Sequence, residues 1–363
     1  MKETILKATD YVPDETDDSI KEQYNLEKLV HMYYNENPYG PSKKVKEAIK
    51  KWDFSFGSYY PDGYERNLRK SISAKYHLNP NNLVFGAGLD EILQLISMVL
   101  LEEDDQIIVP DPTYPEYEIR AKFQGASAVR IPVDKITGHV NFSEMLNTIN
   151  DKTKIIWLCN PNNPTGVLEN ISDIENFIRE VPENIYVIID EAYIDFVSDI
   201  EPDEATCFNL INKYSNVAVL RTFSKIYGLA NYRVGYIAAP KSLADAIQKV
   251  RMPFNMSGLS QLAAEVAFED QEYIHKIAKK NAKQRKKWEK FLRDNDLTYY
   301  HSQSNFVLFE CPGFSGTLSE YLLTNGYKVQ PNLAPDTIRV SIGKKKDNRA
   351  VQKLVKHFLE KNS

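Results

Sequence analysis

Cysteines and long apolar runs are both scarce in this sequence, and their scarcity excludes two classes of protein. The three cysteines, Cys159, Cys207 and Cys311, are odd in number and far apart, which indicates neither a disulfide framework nor a cysteine metal cluster. No segment is apolar over the roughly 20 residues that a membrane-spanning helix needs. The first residues also lack the apolar core of a secretory signal, so we expect a cytoplasmic protein.

An excess of positive charge is missing as well. The 45 lysines and arginines are outnumbered by 50 aspartates and glutamates, and a net charge of −5 gives no electrostatic footprint for nucleic acid or an anionic membrane. One basic run, over residues 279–287, lies in a long helical pattern bracketed by acidic residues, and we interpret it as a solvated helix face. The glycine-rich runs of nucleotide-binding α/β proteins are absent too, which disfavours that class.

Short apolar strands alternate with amphipathic helices through the middle of the chain. This alternation predicts an α/β fold with a mostly parallel sheet flanked by helices. The predicted strands cover residues 106–109, 128–132, 154–158, 185–189, 217–220 and 234–238. The predicted helices cover residues 43–51, which Ser42 can cap, 89–101 and 171–179.

After about residue 251 helices become more frequent than strands. We predict a long charged helix over residues 272–295, strands over 306–310 and 337–342, and a final helix over 346–361. A chain of 363 residues is long enough for two domains. We therefore predict an N-terminal arm over residues 1–38 that belongs to a small domain, a large domain over 39–251, and the rest of the small α+β domain over 252–363.

Chemically useful side chains follow three of the predicted strands. Asn163, Asp190 and Lys225 lie past strand ends, at the edge of a parallel sheet where ligands collect. Alone, an aspartate there is most often a cap and a lysine a surface residue. Together they match an aldehyde cofactor, because a lysine with a depressed pKa can form a Schiff base and a buried aspartate can pair with a protonated ring nitrogen. The combination predicts a pyridoxal 5'-phosphate (PLP) site.

Groups suited to a phosphate lie near Lys225. Thr222 and Ser224 offer hydroxyls, and Arg233 offers a planar fork of donors. A glycine-rich turn over residues 86–88 opens a predicted helix, whose free N–H groups attract an anion. Because such turns are common, this one supports the site only together with the other groups.

Three side chains fit the ring of such a cofactor. Tyr193 and the Asn163 amide can donate to the phenolic oxygen and stabilise its anionic form. Tyr114 follows the strand over residues 106–109 and is a candidate to stack on the pyridine ring. A structural tyrosine would be equally plausible at that position without the other groups.

These motifs, in this order, resemble those of the fold-type I PLP enzymes, and specifically of the aminotransferase family that contains histidinol-phosphate aminotransferase. The resemblance covers nearly the whole chain, and its most specific part surrounds Lys225 and Arg233. It also includes residues 11–13, 35–41, 60–63, 112–114, 253–255, 305–306 and 338–340. It implies an aspartate aminotransferase-like fold with a large PLP-binding domain and a smaller α+β domain, and a homodimer whose subunits share active sites.

The resemblance also implies a role for each site residue. Lys225 would be the Schiff-base lysine and proton shuttle, Asp190 would bind the pyridine nitrogen, and Tyr193 with Asn163 would bind the phenolic oxygen. It further implies phosphate contacts from Leu89, Asp90, Thr222, Ser224 and Arg233, ring stacking by Tyr114, contact of Tyr60 with the cofactor phosphate of the neighbouring subunit, and a substrate pocket formed by Tyr11, Asn37 and Arg339.

The reaction implied by the resemblance is transfer of the amino group of histidinol phosphate to 2-oxoglutarate. One departure weakens the substrate assignment: where the family usually has a second arginine before Arg339, this chain has Gln330. The missing charge-assisted contact to a substrate phosphate is typically worth about 1.5–3 kcal/mol. The alternatives are an aromatic amino-acid aminotransferase and a PLP-dependent decarboxylase of the threonine-phosphate type. A non-catalytic PLP-binding regulator is disfavoured, because no chain is left over for a DNA-binding domain.

Overall fold

The computed structural model describes residues 3–6 and 13–362. Within these ranges the chain forms fifteen α-helices and twelve β-strands. The helices are α1 (Glu3–Leu6), α2 (Asp17–Gln23), α3 (Lys43–Lys50), α4 (Arg66–Tyr76), α5 (Leu89–Leu100), α6 (Glu116–Gln124), α7 (Phe142–Thr148), α8 (Ile171–Glu180), α9 (Pro202–Ala205), α10 (Phe208–Ile211), α11 (Lys241–Val250), α12 (Gly258–Glu269), α13 (Gln271–Asp294), α14 (Ser315–Thr324) and α15 (Lys345–Asn362). The strands are β1 (Val30–His31), β2 (Leu83–Gly86), β3 (Gln106–Asp111), β4 (Ser127–Pro132), β5 (Thr153–Cys159), β6 (Tyr186–Asp190), β7 (Val217–Thr222), β8 (Gly235–Ala238), β9 (Phe306–Glu310), β10 (Tyr327–Lys328), β11 (Gln330–Pro331) and β12 (Thr337–Ser341).

Seven strands form the central sheet, in the order β2-β8-β7-β6-β5-β3-β4. The pairs from β7 to β4 are parallel, whereas β8 runs antiparallel to both β7 and β2. Nearly every residue of β5, β6 and β7 is buried, as expected for parallel strands that are packed on both faces. The carboxyl ends of β3, β5, β6 and β7 meet at one edge. The predicted α/β fold with a mostly parallel sheet is confirmed.

The larger hydrophobic core surrounds this sheet. Trp157 on β5 and Phe223 after β7 are among the largest fully buried side chains in the described part of the chain. Helix α12 packs against α3 and α4, and buries Ala263 and Ala264 in this core. No described helix is both long enough and apolar enough to cross a membrane.

A second, smaller core lies around the antiparallel sheet β11-β12-β9. Trp288 of α13 is fully buried there, and its indole N–H donates to Asn348 Oδ1 of α15 at 3.0 Å. The N-terminal arm joins this core, because β1 pairs in parallel with β10 and Met32 is buried among the same residues. The arm thereby carries residues 33–36 from the smaller core to the edge of the central sheet.

Most of the predicted elements are found with shifts of one or two residues at their ends. Helix α3 begins after Ser42, whose Oγ accepts from the Val45 N–H as predicted, at 3.4 Å. Strand β2 was not predicted. Since α12 packs in the larger core, we propose that the boundary between the two domains lies within α13 rather than at residue 251.

Candidate active site

A cavity of about 510 Å³ lies where the carboxyl ends of the central strands meet, and this volume is typical of small-molecule sites. The start of α5 and strand β12 of the smaller sheet complete its wall. The cavity brings together most of the predicted site residues: Leu89, Asp90, Tyr114, Asn163, Asp190, Tyr193, Thr222, Ser224, Lys225, Arg233 and Arg339.

Lys225 follows β7 and presents its amine to the cavity. The Nζ atom donates to the Tyr34 carbonyl at 2.9 Å and lies 5.7 Å from the centre of the Tyr193 ring. Burial and, after it, the Arg339 guanidinium lower the pKa of Lys225 from 10.5 to about 8. The amine can therefore lose its proton near neutral pH, as a nucleophilic lysine must.

Asp190 ends β6 and is buried in the opposite wall. Its Oδ2 atom accepts from the Tyr117 hydroxyl at 2.7 Å and its Oδ1 atom accepts from the Ala192 N–H at 3.0 Å. Burial raises the pKa of Asp190 from 3.8 to about 6, against the lowering effect of these two donors and of Lys225. No lysine or arginine lies within ion-pair distance of this carboxylate in the described structure, so it is suited to a cationic ligand.

Tyr193 is buried close to Asp190. Its hydroxyl accepts from Asn35 Nδ2 at 3.1 Å, and its ring meets Phe306 edge to face at 5.1 Å. Burial raises the pKa of Tyr193, so that its hydroxyl remains a donor at neutral pH. Asn35 is thereby a residue that holds Tyr193 in place.

Arg339 reaches the cavity from β12 and is buried. Its Nη1 atom donates to Asn163 Oδ1 and its Nη2 atom donates to the Tyr33 carbonyl, both at 2.5 Å. The remaining Nε atom has no hydrogen-bond partner in the described structure. Burial lowers the pKa of Arg339, yet a guanidinium remains charged under all working conditions. A buried cation with an unused donor is suited to an anionic ligand.

An anion cradle lies at the start of α5. Gly88 caps this helix with φ of 80°, and a Cβ atom at this position would lie 2.8 Å from Arg233 Cζ. Arg233 Nη2 donates to Asp90 Oδ2 at 2.9 Å, and its Nη1 atom lies 3.5 Å from Ser224 Oγ. Thr222 Oγ1 accepts from the Ser224 N–H at 3.1 Å. Only glycine allows the guanidinium to approach the helix start this closely.

Gln330 also lines the cavity, on β11 directly opposite Arg339 of β12. Its side-chain amide donates to the Pro331 carbonyl at 3.2 Å. Strands β10 and β11 contain no arginine. The position at which this chain has Gln330 in place of the family's second arginine therefore lies in the wall of the cavity.

Two predicted residues, Asn37 and Tyr60, do not line the cavity. The Asn37 amide donates to the Ile226 carbonyl at 2.7 Å and its oxygen accepts from the Tyr39 N–H, so its polar groups are engaged within the protein and its substrate contact stays a prediction. Tyr60 is 82 % exposed and stacks on Phe254 at 4.7 Å, so its predicted role depends on a second subunit. Tyr11 lies outside the described residues.

Sequence reasoning missed several cavity residues. Tyr34, Asn35 and Glu36 line the cavity in the segment where Asn37 alone was selected. Tyr117 lines it as well, one helical turn after Tyr114. The run of polar residues at 35–37 was the available signal for the arm, whereas Tyr117 resembles an ordinary buried aromatic residue in the sequence.

Comparison with known proteins gives consistent results over the full length. The family model described as aminotransferase class I and II matches residues 27–358. A histidinol-phosphate aminotransferase of Limosilactobacillus fermentum is 43% identical over 364 residues, with 100% of both chains covered. One of Lactiplantibacillus plantarum is 39% identical, with 99% of each chain covered.

A solved structure has the same fold. The histidinol-phosphate aminotransferase of Sinorhizobium meliloti, determined in complex with PLP, superimposes with a TM-score of 0.86 at 24% sequence identity. The match covers 99% of this chain and 98% of that one. At this level of identity the similarity establishes the fold alone.

The residues of the cavity fit PLP. Among the described residues Asp190 has no cationic hydrogen-bond partner, Lys225 has a lowered pKa, and the Arg233 guanidinium lies so close to Gly88 that a Cβ atom there would clash with it. These three features match the ring nitrogen, the aldehyde and the phosphate of that cofactor. The described residues contain no cluster of metal-ligating side chains.

Proposed function

Because the chain belongs to the aminotransferase class I and II family, we propose that it is a histidinol-phosphate aminotransferase, which transfers the amino group of histidinol phosphate to 2-oxoglutarate. Family membership confirms the expected aminotransferase activity and the PLP cofactor. The assignment of histidinol phosphate as the substrate rests on the 43% identity, over the full length, to a relative named for this activity. The full coverage of both chains supports it, because the similarity extends over every segment that lines the cavity.

The roles of the catalytic residues follow from their positions in the cavity. PLP, when bound, supplies an electron sink that acidifies the α-carbon of the substrate. Lys225 would hold the cofactor by its amine until the amino donor displaces it, and the freed amine would then remove the proton from that carbon and return it during the reaction. Asp190 binds the ring nitrogen, Asn163 and Tyr193 bind the phenolic oxygen, and Tyr114 stacks on the ring.

Two cationic groups hold the anionic parts of the ligands. Arg233, together with Ser224, Thr222 and the N–H groups of residues 89 and 90, binds the cofactor phosphate. Arg339 binds the carboxylate of 2-oxoglutarate and the anionic group of the amino donor. Its unused Nε donor and its burial favour a tight contact with an anion.

We also propose a cytoplasmic homodimer with shared active sites. Large aromatic side chains lie exposed in one stretch, and such a patch is typical of an interface. The members that are more than half exposed are Phe54, Phe56, Tyr59, Tyr60 and Tyr64. Mixing Tyr60→Ala with Lys225→Ala protein tests the sharing, since a mixed dimer has one site with both native residues. Regained activity would support the shared site, and a mixture that stays inactive would contradict it.

An aromatic amino-acid aminotransferase is the second candidate. Gln330 favours it, because the cavity wall offers one arginine fewer to a substrate phosphate. The test is a panel of amino donors with 2-oxoglutarate: histidinol phosphate, phenylalanine, tyrosine and histidine. Fastest turnover of histidinol phosphate supports the main proposal, whereas fastest turnover of phenylalanine or tyrosine decides for the second. Release of carbon dioxide without an acceptor would instead indicate a decarboxylase.

A further inference from the structure

The tyrosine that binds Asp190 lies outside every role assigned so far. Tyr117 is fully buried on α6, and its hydroxyl donates to Asp190 Oδ2 at 2.7 Å. The ring of Tyr117 lies parallel to the Trp157 indole, with centroids 4.6 Å apart and an interplanar angle of 6°. This stacking holds the hydroxyl in place, so the hydrogen bond is built into the wall of the site.

We propose that Tyr117 is a positioning residue that keeps the proton shared by Asp190 and the cofactor on the ring nitrogen rather than on the carboxylate. This inference rests on the proposed function. A carboxylate that accepts a hydrogen bond is stabilised in its charged form and binds a proton less tightly. The shared proton then resides on the ring, which is the form that accepts electrons.

Three observations support this role. The second carboxylate oxygen is held by the Ala192 N–H at 3.0 Å, so both oxygens have donors and the group cannot rotate freely. Burial is the largest effect that raises the pKa of Asp190, and the Tyr117 hydroxyl is the first of the groups that oppose it. Burial and Asp190 raise the pKa of Tyr117 well above its usual value, so the hydroxyl stays a donor.

The charged groups near Asp190 cannot replace the Tyr117 hydroxyl. Lys225 lowers the pKa of Asp190 and Asp90 raises it, but neither hydrogen-bonds to its carboxylate in the described structure. The Lys225 amine is also the group that binds the cofactor, so its charge changes during the reaction. The Tyr117 hydroxyl and the Ala192 N–H are the donors that remain unchanged throughout, and Tyr117 is the side chain among them.

Tyr114 and Tyr117 belong to the same turn of chain. Their rings meet edge to face at 5.6 Å, and Tyr114 lines the cavity where we propose that it stacks on the cofactor ring. One short segment therefore acts on the cofactor twice, through the face of the ring and through the partner of its nitrogen.

The test compares native protein, Tyr117→Phe and a control, Tyr236→Phe. Phenylalanine keeps the ring that stacks on Trp157 and removes only the hydroxyl. Tyr236 is also buried in the core around the sheet, and it is not part of the cavity wall. Each protein is loaded with PLP that carries nitrogen-15 in the ring, and the chemical shift of that nitrogen reports whether it is protonated.

We expect a protonated ring in the native protein and in the control. In Tyr117→Phe the proton equilibrium should move toward Asp190 by roughly tenfold or more, which is one pKa unit or more. An unchanged ring-nitrogen shift in Tyr117→Phe would overturn the inference and leave the proposed function intact. Failure of the native protein to bind PLP at Lys225 would overturn both.

A binding experiment separates this role from simple packing. The affinities of native protein and Tyr117→Phe are measured for PLP and for its analogue with a carbon in place of the ring nitrogen. We expect the substitution to weaken PLP binding and to leave the affinity for the analogue unchanged. Equal weakening for both ligands would mean that Tyr117 only supports the fold, and would refute the inference even if the variant is less stable.

Discussion

Two acid–base pairs come from the same stretches of chain, at the ends of β6 and β7, and they are built in opposite ways. In the core pair, Arg221 Nε donates to Glu191 Oε2 at 2.8 Å, and Thr206 and the Cys207 N–H satisfy the rest of the carboxylate. In the cavity pair, Asp190 and Lys225 do not touch; each binds uncharged groups instead.

The difference separates a structural pair from a reactive one. Burial raises the pKa of Glu191 and disfavours the charge of Arg221, but each group opposes the effect of burial on the other, and Glu191 with Asp195 holds the pKa of Arg221 well above its usual value. In the cavity pair burial raises the pKa of Asp190 to about 6 and lowers that of Lys225 to about 8, toward neutral pH. Two carboxylates adjacent in sequence thus have different roles, because Glu191 pairs with Arg221 whereas Asp190 lines the cavity.

The largest effect should follow loss of the cavity carboxylate. Asp190→Asn keeps the size of the side chain but cannot hold a proton on the cofactor ring. We expect kcat to fall by roughly 10²–10⁴-fold, the range for loss of a group that controls a proton in the reaction. Steady-state kinetics with saturating PLP measure this, and near-native kcat would show that Asp190 is not at the ring nitrogen.

The core carboxylate should affect stability instead. Glu191→Gln leaves the buried Arg221 with Asp195 as its remaining partner at 3.1 Å. Breaking such a pair typically costs about 3–5 kcal/mol, which denaturant unfolding measures. Its control is Glu191→Gln with Arg221→Met, which should recover part of the loss because the buried guanidinium is gone and only the less buried Asp195 carboxylate is left without it. If Glu191→Gln lowered activity but not stability, the Glu191–Arg221 pair would not be a structural pair.

Asp190 should also make the stability of the cofactor-free protein depend on pH. Because the pKa of Asp190 is raised in the folded state, the protonated carboxyl carries no penalty below about pH 4. The free energy of unfolding then falls as pH rises from there through about 6, where the carboxyl ionises in the folded protein. The penalty at pH 7.5 is on the order of 3 kcal/mol, and Asp190→Asn should remove it. Unfolding curves at pH 4 and 7.5 test this: the variant should be more stable than native protein only at the higher pH.

The smallest effect is expected in the pH dependence of PLP attachment to Lys225. With a pKa of about 8, Lys225 becomes reactive over the range of pH in which an exposed lysine is still fully charged. The rate of PLP attachment to the cofactor-free protein should rise about tenfold per pH unit up to pH 8 and then level off. Borohydride trapping at timed intervals gives these rates. A rate that keeps rising toward pH 10 would mean that the amine is not buried as described.

The sequence predicted the cavity well where a side chain lies past a strand end. Asp190 could be predicted because a charged residue at the end of an apolar run is typical of a buried strand that ends at a polar site, and Lys225 because hydroxyl-bearing and cationic residues surround it in the sequence. Tyr117 could not, since its role depends on the direction in which α6 turns its hydroxyl. Asn37 was expected from the family resemblance, and the local pattern gave no sign that Asn35, whose backbone is left-handed with φ of 58°, faces Tyr193.

The fold was predictable to the same degree. Strands were found from apolar runs, but the antiparallel course of β8 depends on its pairing with β2, a strand of four residues that gives a weak pattern. The placement of α12 in the larger core depends on α3 and α4, which are far away in sequence. Local patterns do not contain such long-range packing.

The reversed course of β8 has a consequence for the tolerance of the chain to insertions. Because β7 ends and β8 begins at the same edge of the sheet, a single loop carries both the Lys225 amine and the Arg233 guanidinium. Surface loops usually accept extra residues at little cost. Here the number of residues between the two groups fixes their separation, so lengthening this loop by even one residue would detach one anchor of the cofactor from the other.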